Sequence, residues 1–120
     1  MSLDPIALAQ ALINCPSVTP ELPGRDAAMM ARRAAVAAIP NLYSAKARAN
    51  YKIIKVTRAK ANPSDRVEAI PYGMCGELVG SRTWFVISRL PAGAPSNSLS
   101  SSQLFLARFR GGWRVWFRYH

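Results

Sequence analysis

Histidine and acidic residues are scarce in this chain of 120 residues. The single histidine is His120, the last residue, and none of the six Asp and Glu residues follows Glu77. A hydrolytic metal site needs several His and carboxylate ligands that converge, with a carboxylate to activate the water. A nucleophilic Cys75 would need a base, and His120 is the one histidine present. We therefore expect no catalytic residue, no metal site and no cofactor.

Long apolar runs and a basic N-terminus are absent as well. No stretch reaches the about 18 consecutive apolar residues that a membrane-spanning helix needs. The N-terminus carries Asp4 and lacks the basic start of a secretory signal, so the sequence predicts a cytoplasmic protein. The alternative is an exported form that starts at Met29 or Met30, in which Arg32 and Arg33 would begin a leader.

Cysteine is limited to Cys15 and Cys75, which form no C-x-x-C or other metal-binding spacing. Two interpretations are open for this pair. Both residues are small buried thiols, or they form a single disulfide in an oxidising compartment. The spacing alone does not decide between them.

Positive charge, by contrast, is abundant. Sixteen Lys and Arg against six Asp and Glu give a formal net charge of +10, and the six charged residues after Glu77 are all arginines. This imbalance favours an anionic partner such as nucleic acid or an acidic surface. The alternative is a basic face that is only solvated. Half of the residues are hydrophobic and only 18% are charged, so the composition is that of a folded chain and not of a disordered one.

Local patterns divide the chain into a helical part, residues 1–40, and a β part, residues 49–120. The first helix is predicted over residues 5–14, and a second, Ala-rich helix over residues 25–38, stopping at Pro40. The β part contains three predicted strands, at residues 51–59, 66–80 and 82–90, and the second of them is interrupted at Pro71. A flexible loop is predicted over residues 91–103.

The segment LFLARFRGGWRVWFRYH predicts a β-hairpin. A three-residue loop over residues 110–112 keeps the apolar side chains on one face, whereas a two-residue loop would scramble both faces. The expected pairs on the apolar face are Phe109 with Trp113, Ala107 with Val115 and Phe105 with Phe117. On the other face they are Arg108 with Arg114, Leu106 with Trp116 and Leu104 with Arg118. Such a loop also takes a left-handed residue, which Gly112 provides.

These elements predict one domain over residues 1–120 with an α+β fold. It consists of two N-terminal helices followed by a small, mostly antiparallel sheet of about 4–5 strands that ends in the hairpin.

The hairpin also contains the best candidate binding residues. Arg108, Arg110, Arg114 and Arg118 alternate with aromatic residues. Arginines contact phosphates, and an exposed Trp116 would stack on a base. The pattern therefore predicts an anion-binding face, with nucleic acid as the first choice of partner. The alternative is a core hairpin whose arginines are only solvated.

The stretch DPIALAQALINCPSVTPE, Asp4 to Glu21, resembles the beginning of the succinyl-diaminopimelate desuccinylases. Members of this family have a short helix that ends in L-I-x-x-P-S-x-T-P. The matching residues here are Leu12, Ile13, Pro16, Ser17, Thr19 and Pro20. The resemblance implies descent from bacterial two-zinc amidohydrolases of lysine and cell-wall synthesis.

The family's metal motifs have no counterpart in this chain. Its first metal ligand lies in a Gly-His-x-Asp stretch, and a Glu-Glu pair supplies base and ligand later. Here Asp65, Glu68 and Glu77 are isolated from one another. The resemblance thus implies, as an alternative function, a truncated or frame-shifted desuccinylase fragment that is inactive because it lacks metal ligands.

Overall fold

The structure is a computed structural model, and it describes residues 15–22, 26–62, 66–90 and 101–119. The helices and strands of these ranges are α1 Ala27–Leu42, β1 Lys52–Arg58, a 3-10 helix Arg66–Ala69, α2 Ile70–Ser81, β2 Trp84–Arg89, β3 Ser101–Phe109 and β4 Gly112–Tyr119. The four strands form one antiparallel sheet in the order β1-β2-β3-β4, so each strand pairs with the next along the chain.

The α+β class is confirmed, with a different placement of the helices. One described helix precedes the sheet and the other lies between its first two strands. The helix predicted over residues 5–14 lies outside the described residues. No helix in the described ranges is long and apolar enough to cross a membrane.

Asp26 is the N-cap of helix α1, and its carboxylate accepts a hydrogen bond from the Met29 N–H at 3.1 Å. Its buried residues recur every four positions, at Ala31, Ala35 and Ile39. The predicted end before Pro40 is wrong, because the helix continues to Leu42. Pro40 lies in the last turn and has no N–H to donate to the carbonyl of Val36. Because Val36 is exposed, water can bond to this carbonyl instead.

Residues 66–80, predicted as a strand, form the 3-10 helix and most of α2. Pro71 lies in the first turn of α2, where its missing N–H would have no helical partner. Gly76 has a φ of 84° and a ψ of 178°, and it kinks the helix. The strand prediction was wrong because a proline between apolar residues is compatible with both a strand edge and the first turn of a helix.

The two faces of the sheet have different cores. On one face, Ala35 and Ile39 of α1 pack with fully buried residues of two strands, Val86 of β2 and Leu104 and Leu106 of β3. On the other face, the ring of Phe105 lies 5.0 Å from that of Phe85 and 5.6 Å from that of Phe117, centroid to centroid.

The 3-10 helix is tied to β1 by an ion pair. The Lys55 ammonium lies 2.8 Å from a carboxylate oxygen of Glu68, which is buried. A buried carboxylate is tolerated only when it is paired, so this contact fixes where the 3-10 helix docks.

Cys15 and Cys75 form a disulfide, with their Cα atoms 5.5 Å apart and 60 positions between them in sequence. The structure therefore confirms the interpretation of this pair as a disulfide, and the interpretation as buried thiols is wrong. The bond joins residues 15–22, which we call the N-terminal segment, to α2.

The β3-β4 hairpin has two registers. At its base Phe105 pairs with Phe117 and Leu104 with Arg118, and both pairs confirm the prediction. Trp116 has no partner in the pairing, and beyond it the register moves by one residue. The pairs toward the tip are Leu106 with Val115, Ala107 with Arg114, Arg108 with Trp113 and Phe109 with Gly112.

The predicted three-residue loop is therefore wrong. Four predicted pairs are wrong with it, namely Phe109 with Trp113, Ala107 with Val115, Arg108 with Arg114 and Leu106 with Trp116. The loop contains only Arg110 and Gly111. A bulge takes up one extra residue in one strand, so the tip can change register while the base keeps its apolar face. Gly112 has a φ of 125°, which confirms that a left-handed residue is needed there.

The predicted loop over residues 91–103 is wrong at its end, because Ser101 to Gln103 belong to β3. Residues 91–100 lie outside the described part of the chain.

Two glycines of α2 give a matched stability test. A Cβ atom at Gly80 would lie 2.5 Å from Cγ of Tyr72, whereas one at Gly73 would meet nothing within 4 Å. We expect Gly80→Ala to lower the free energy of unfolding by about 1–3 kcal/mol, because the base of an aromatic ring has no room to retreat. Gly73→Ala should raise it by up to about 1 kcal/mol. Urea unfolding measures both, and equal effects would contradict this packing of α2.

Candidate anion-binding cleft

A cleft of about 650 Å³ lies between the first half of α1, the end of the N-terminal segment and the tip of the β3-β4 hairpin. It is lined by Glu21, Leu22, Ala27, Met30, Arg33, Ala34, Arg108, Arg110, Gly111, Gly112 and Trp113. Three of these residues are arginines and one is acidic. The cleft is therefore the place where the basic character of the chain meets a concave surface.

Arg108 fastens the N-terminal segment to the hairpin. Its guanidinium donates to the hydroxyl of Thr19 at 3.0 Å and to the carbonyl of Pro20 at 2.9 Å. The backbone carbonyl of Arg108 in turn accepts from the Thr19 N–H at 2.7 Å. Arg108 thus builds one wall of the cleft in addition to lining it.

Glu21 is already paired. One carboxylate oxygen accepts a hydrogen bond from the indole N–H of Trp84 at 2.8 Å, and the other accepts one from the guanidinium of Arg58. Partial burial raises the pKa of the Glu21 carboxyl, but these two hydrogen bonds and the positive charge of Arg58 outweigh burial, so the pKa lies below its ordinary value. The one described acid of the cleft is therefore an anion whose charge Arg58 offsets.

A pH dependence follows from Glu21. We expect Glu21→Gln to be less stable than the unmodified chain near pH 6, by about 1 kcal/mol or less. Because the pKa of Glu21 is lowered by folding, its contribution is complete above the unfolded pKa of about 4.3 and is lost as the pH falls through the folded-state pKa. Urea midpoints of both proteins should therefore converge below about pH 4. A gap that does not depend on pH would contradict the ion pair.

Arg33 and Arg110 contribute the accessible charge. Arg33 lies on an exposed position of α1, and Arg110 lies at the exposed tip of the hairpin. Among the described residues, neither guanidinium has a carboxylate within ion-pair distance. Both guanidinium groups are therefore available to a ligand, whereas one nitrogen of the Arg108 guanidinium already donates to Thr19 and Pro20.

Trp113 is the aromatic residue of the cleft. It lies opposite Arg108 in the hairpin and is half-buried. It also borders a second depression of about 340 Å³, which it shares with Ala34, Ala38 and Val115. The indole thus stands between two hollows of the surface between α1 and β4.

The predicted site residues do not form one face. Of the four predicted arginines, Arg108 and Arg110 line the cleft, and Arg108 is engaged by the N-terminal segment. Arg114 lies with its guanidinium 4.8 Å from the ring centroid of Phe109. Arg118 donates to the Leu42 carbonyl at 2.7 Å and lies over the ring of Tyr43, so it caps the end of α1.

Trp116, predicted to stack on a base, is only partly exposed, and its buried indole nitrogen has no hydrogen-bond partner among the described residues. Trp113 and Arg33 line the cleft in its place. Arg33 is exposed on α1. Its position beside the hairpin tip follows from the docking of α1, for which the sequence contains no local signal.

Comparison with known proteins identifies no relative. No family model, curated protein or solved structure matches the chain. Among the described residues, no group of three or more His, Cys, Asp and Glu side chains is placed to hold a metal ion.

Proposed function

We propose that this chain is a small, basic, non-catalytic α+β domain that binds an anionic partner in the cleft, with nucleic acid as the first choice. The observation that carries this proposal is the meeting of Arg33, Arg108 and Arg110 around a concave surface whose one described acid, Glu21, is already paired. Free guanidinium groups beside a neutralised carboxylate give a site where a phosphate finds attraction and little repulsion.

The test compares two variants of equal charge. Arg33→Ser with Arg110→Ser removes two charges from the cleft. Lys52→Ser with Arg89→Ser removes two exposed charges that face each other across β1 and β2, at the end of the sheet away from the hairpin tip. Retention on heparin and on single-stranded DNA, measured against salt, should fall for the first variant and change little for the second.

The disulfide also bears on where the protein works. Structural disulfides persist in oxidising compartments and are rare in the cytoplasm. The Cys15–Cys75 bond therefore favours export over the cytoplasmic location that the sequence predicts. A product that starts at Met29 or Met30 would lack Cys15, so the bond does not support that particular start.

The desuccinylase-fragment interpretation remains a prediction from the sequence. It depends on residues 4–21, of which 4–14 lie outside the described part of the chain. The described residues of that stretch help to form the cleft, because hydrogen bonds of Thr19, Pro20 and Glu21 hold the N-terminal segment against the hairpin and the sheet.

A further inference from the structure

We infer that the ligand of the cleft is single-stranded nucleic acid, with one unpaired base stacked on Trp113 and the adjoining phosphates held by Arg33 and Arg110. This inference rests on the proposed function and narrows it to one chemical class. It differs from simple polyanion binding because it requires an aromatic contact beside the charges.

The shape of the site favours a single strand over a duplex. Proteins read duplex DNA with an element that protrudes into a groove about 12 Å wide. Here the charged and aromatic groups surround a hollow of about 650 Å³, which is the size of a small-molecule site. The bases of a duplex are stacked inside the helix, so none is free to stack on Trp113, which lines the hollow. An unpaired base, in contrast, is free to turn into it.

The surroundings of Trp113 suit a base. Met30 and Ala34 of α1 provide apolar walls on the cleft side. The second depression continues beyond the indole, so the strand on either side of the stacked base has a surface to follow. Aromatic side chains beside a basic groove are the usual platform for single strands, since every base has a π face.

The tip of the hairpin leaves room for the strand. A Cβ atom at Gly111 or at Gly112 would meet no described residue within 4 Å, so the described part of the chain leaves the space above both glycines open. Small residues at this point let a sugar-phosphate backbone approach the main chain closely.

The lining predicts weak sequence preference. Base edges are read by Asn, Gln, Ser, Thr or free carboxylate side chains, or by arginines held in a fixed orientation. The described lining has none of the first four, its carboxylate is paired, and Arg108 is engaged by Thr19 and Pro20. Stacking and phosphate contacts are what remain, and both tolerate any base.

The experiment measures binding of three ligands by anisotropy or competition: oligo(dT) of about 20 nucleotides, a blunt duplex of equal length, and heparin. Trp113→Leu should weaken oligo(dT) binding about 10-fold or more, while Trp113→Phe, which keeps an aromatic face, should retain most of it. Binding of duplex and heparin, which requires no stacked base, should fall much less than binding of oligo(dT) in both variants. In the unmodified protein, oligo(dT) should quench tryptophan fluorescence, and Trp113→Phe should remove this quenching.

The outcomes separate the inference from the proposed function. If Trp113→Leu leaves oligo(dT) affinity intact, or if all three ligands weaken equally, the stacked base is wrong. The proposed function would still stand if Arg33→Ser with Arg110→Ser weakened every ligand. If Trp113→Leu fails to fold, the fluorescence measurement tests the stacked base instead. Quenching by oligo(dT) in the unmodified protein that is lost in Trp113→Phe supports the inference, and the absence of quenching in the unmodified protein overturns it.

Discussion

Loss of the Cys15–Cys75 disulfide is expected to lower the free energy of unfolding by about 2–4 kcal/mol. The bond spans 60 positions, so it removes many conformations from the unfolded chain. Small domains are stable by only about 5–15 kcal/mol, so this loss is a large fraction of the total. Urea unfolding of the unmodified protein and of Cys15→Ser with Cys75→Ser measures it.

The reductant provides the control for that experiment. A reducing agent should lower the urea midpoint of the unmodified protein toward that of the double variant, and it should leave the double variant unchanged. Titration of the native, unreduced protein should find no free thiol. Two titratable thiols, or a midpoint that is indifferent to reductant, would contradict the structure.

Hydrogen bonds to the hairpin and the sheet also hold the N-terminal segment in place, independently of the disulfide. Thr19 and Pro20 are bonded to Arg108, and Glu21 is bonded to Arg58 and Trp84. We therefore expect reduction to destabilise the folded state as a whole and not to release this segment selectively.

Removal of the two free cleft arginines is expected to weaken binding of single-stranded DNA about 10-fold or more near 0.1 M salt. Each phosphate contact on a single strand contributes about 0.7 to the slope of log affinity against log salt, so Arg33→Ser with Arg110→Ser should lower that slope by about 1.4. Both residues are exposed, so the fold should tolerate the change. Arg108 is left in place because its substitution would also remove the hydrogen bonds of its guanidinium to Thr19 and Pro20.

The charge-matched variant Lys52→Ser with Arg89→Ser makes this measurement specific. The two residues face each other across β1 and β2, and like charges in that position repel weakly, so their removal should not destabilise the sheet. If both double variants lose affinity equally, binding reflects net charge alone. In that case the cleft is not the site.

The parts of the fold that sequence analysis predicted well depend on local alternation. The β-branched residues of β1, the apolar run of β2 and the alternating residues of the hairpin each indicate a strand without reference to distant residues. At the base of the hairpin, the pairs Phe105 with Phe117 and Leu104 with Arg118 are also predictable, because a slip of one residue would turn Phe105 away from Phe85.

The lining of the candidate cleft was predicted only in part. Arg108 and Arg110 line the cleft. Arg118 keeps its predicted pairing with Leu104 but bonds to the end of α1, and the bulge at Trp116 pairs Arg114 with Ala107 in place of Arg108. A bulge is invisible to an argument from regular alternation, because a single extra residue changes the face of every residue beyond it.

The sequence alone determined the basic character of this protein, its strands, the Ala-rich helix α1 and the scarcity of groups for metal or acid-base chemistry, because composition and short-range periodicity carry that information. The tertiary structure decided three things: that residues 66–81 are helical, that Cys15 meets Cys75, and that Arg33 and Trp113 share a cleft. Each depends on contacts between distant parts of the chain, such as that of Thr19 with Arg108 across 89 positions. Local patterns do not encode such contacts, since they arise only when the elements pack together.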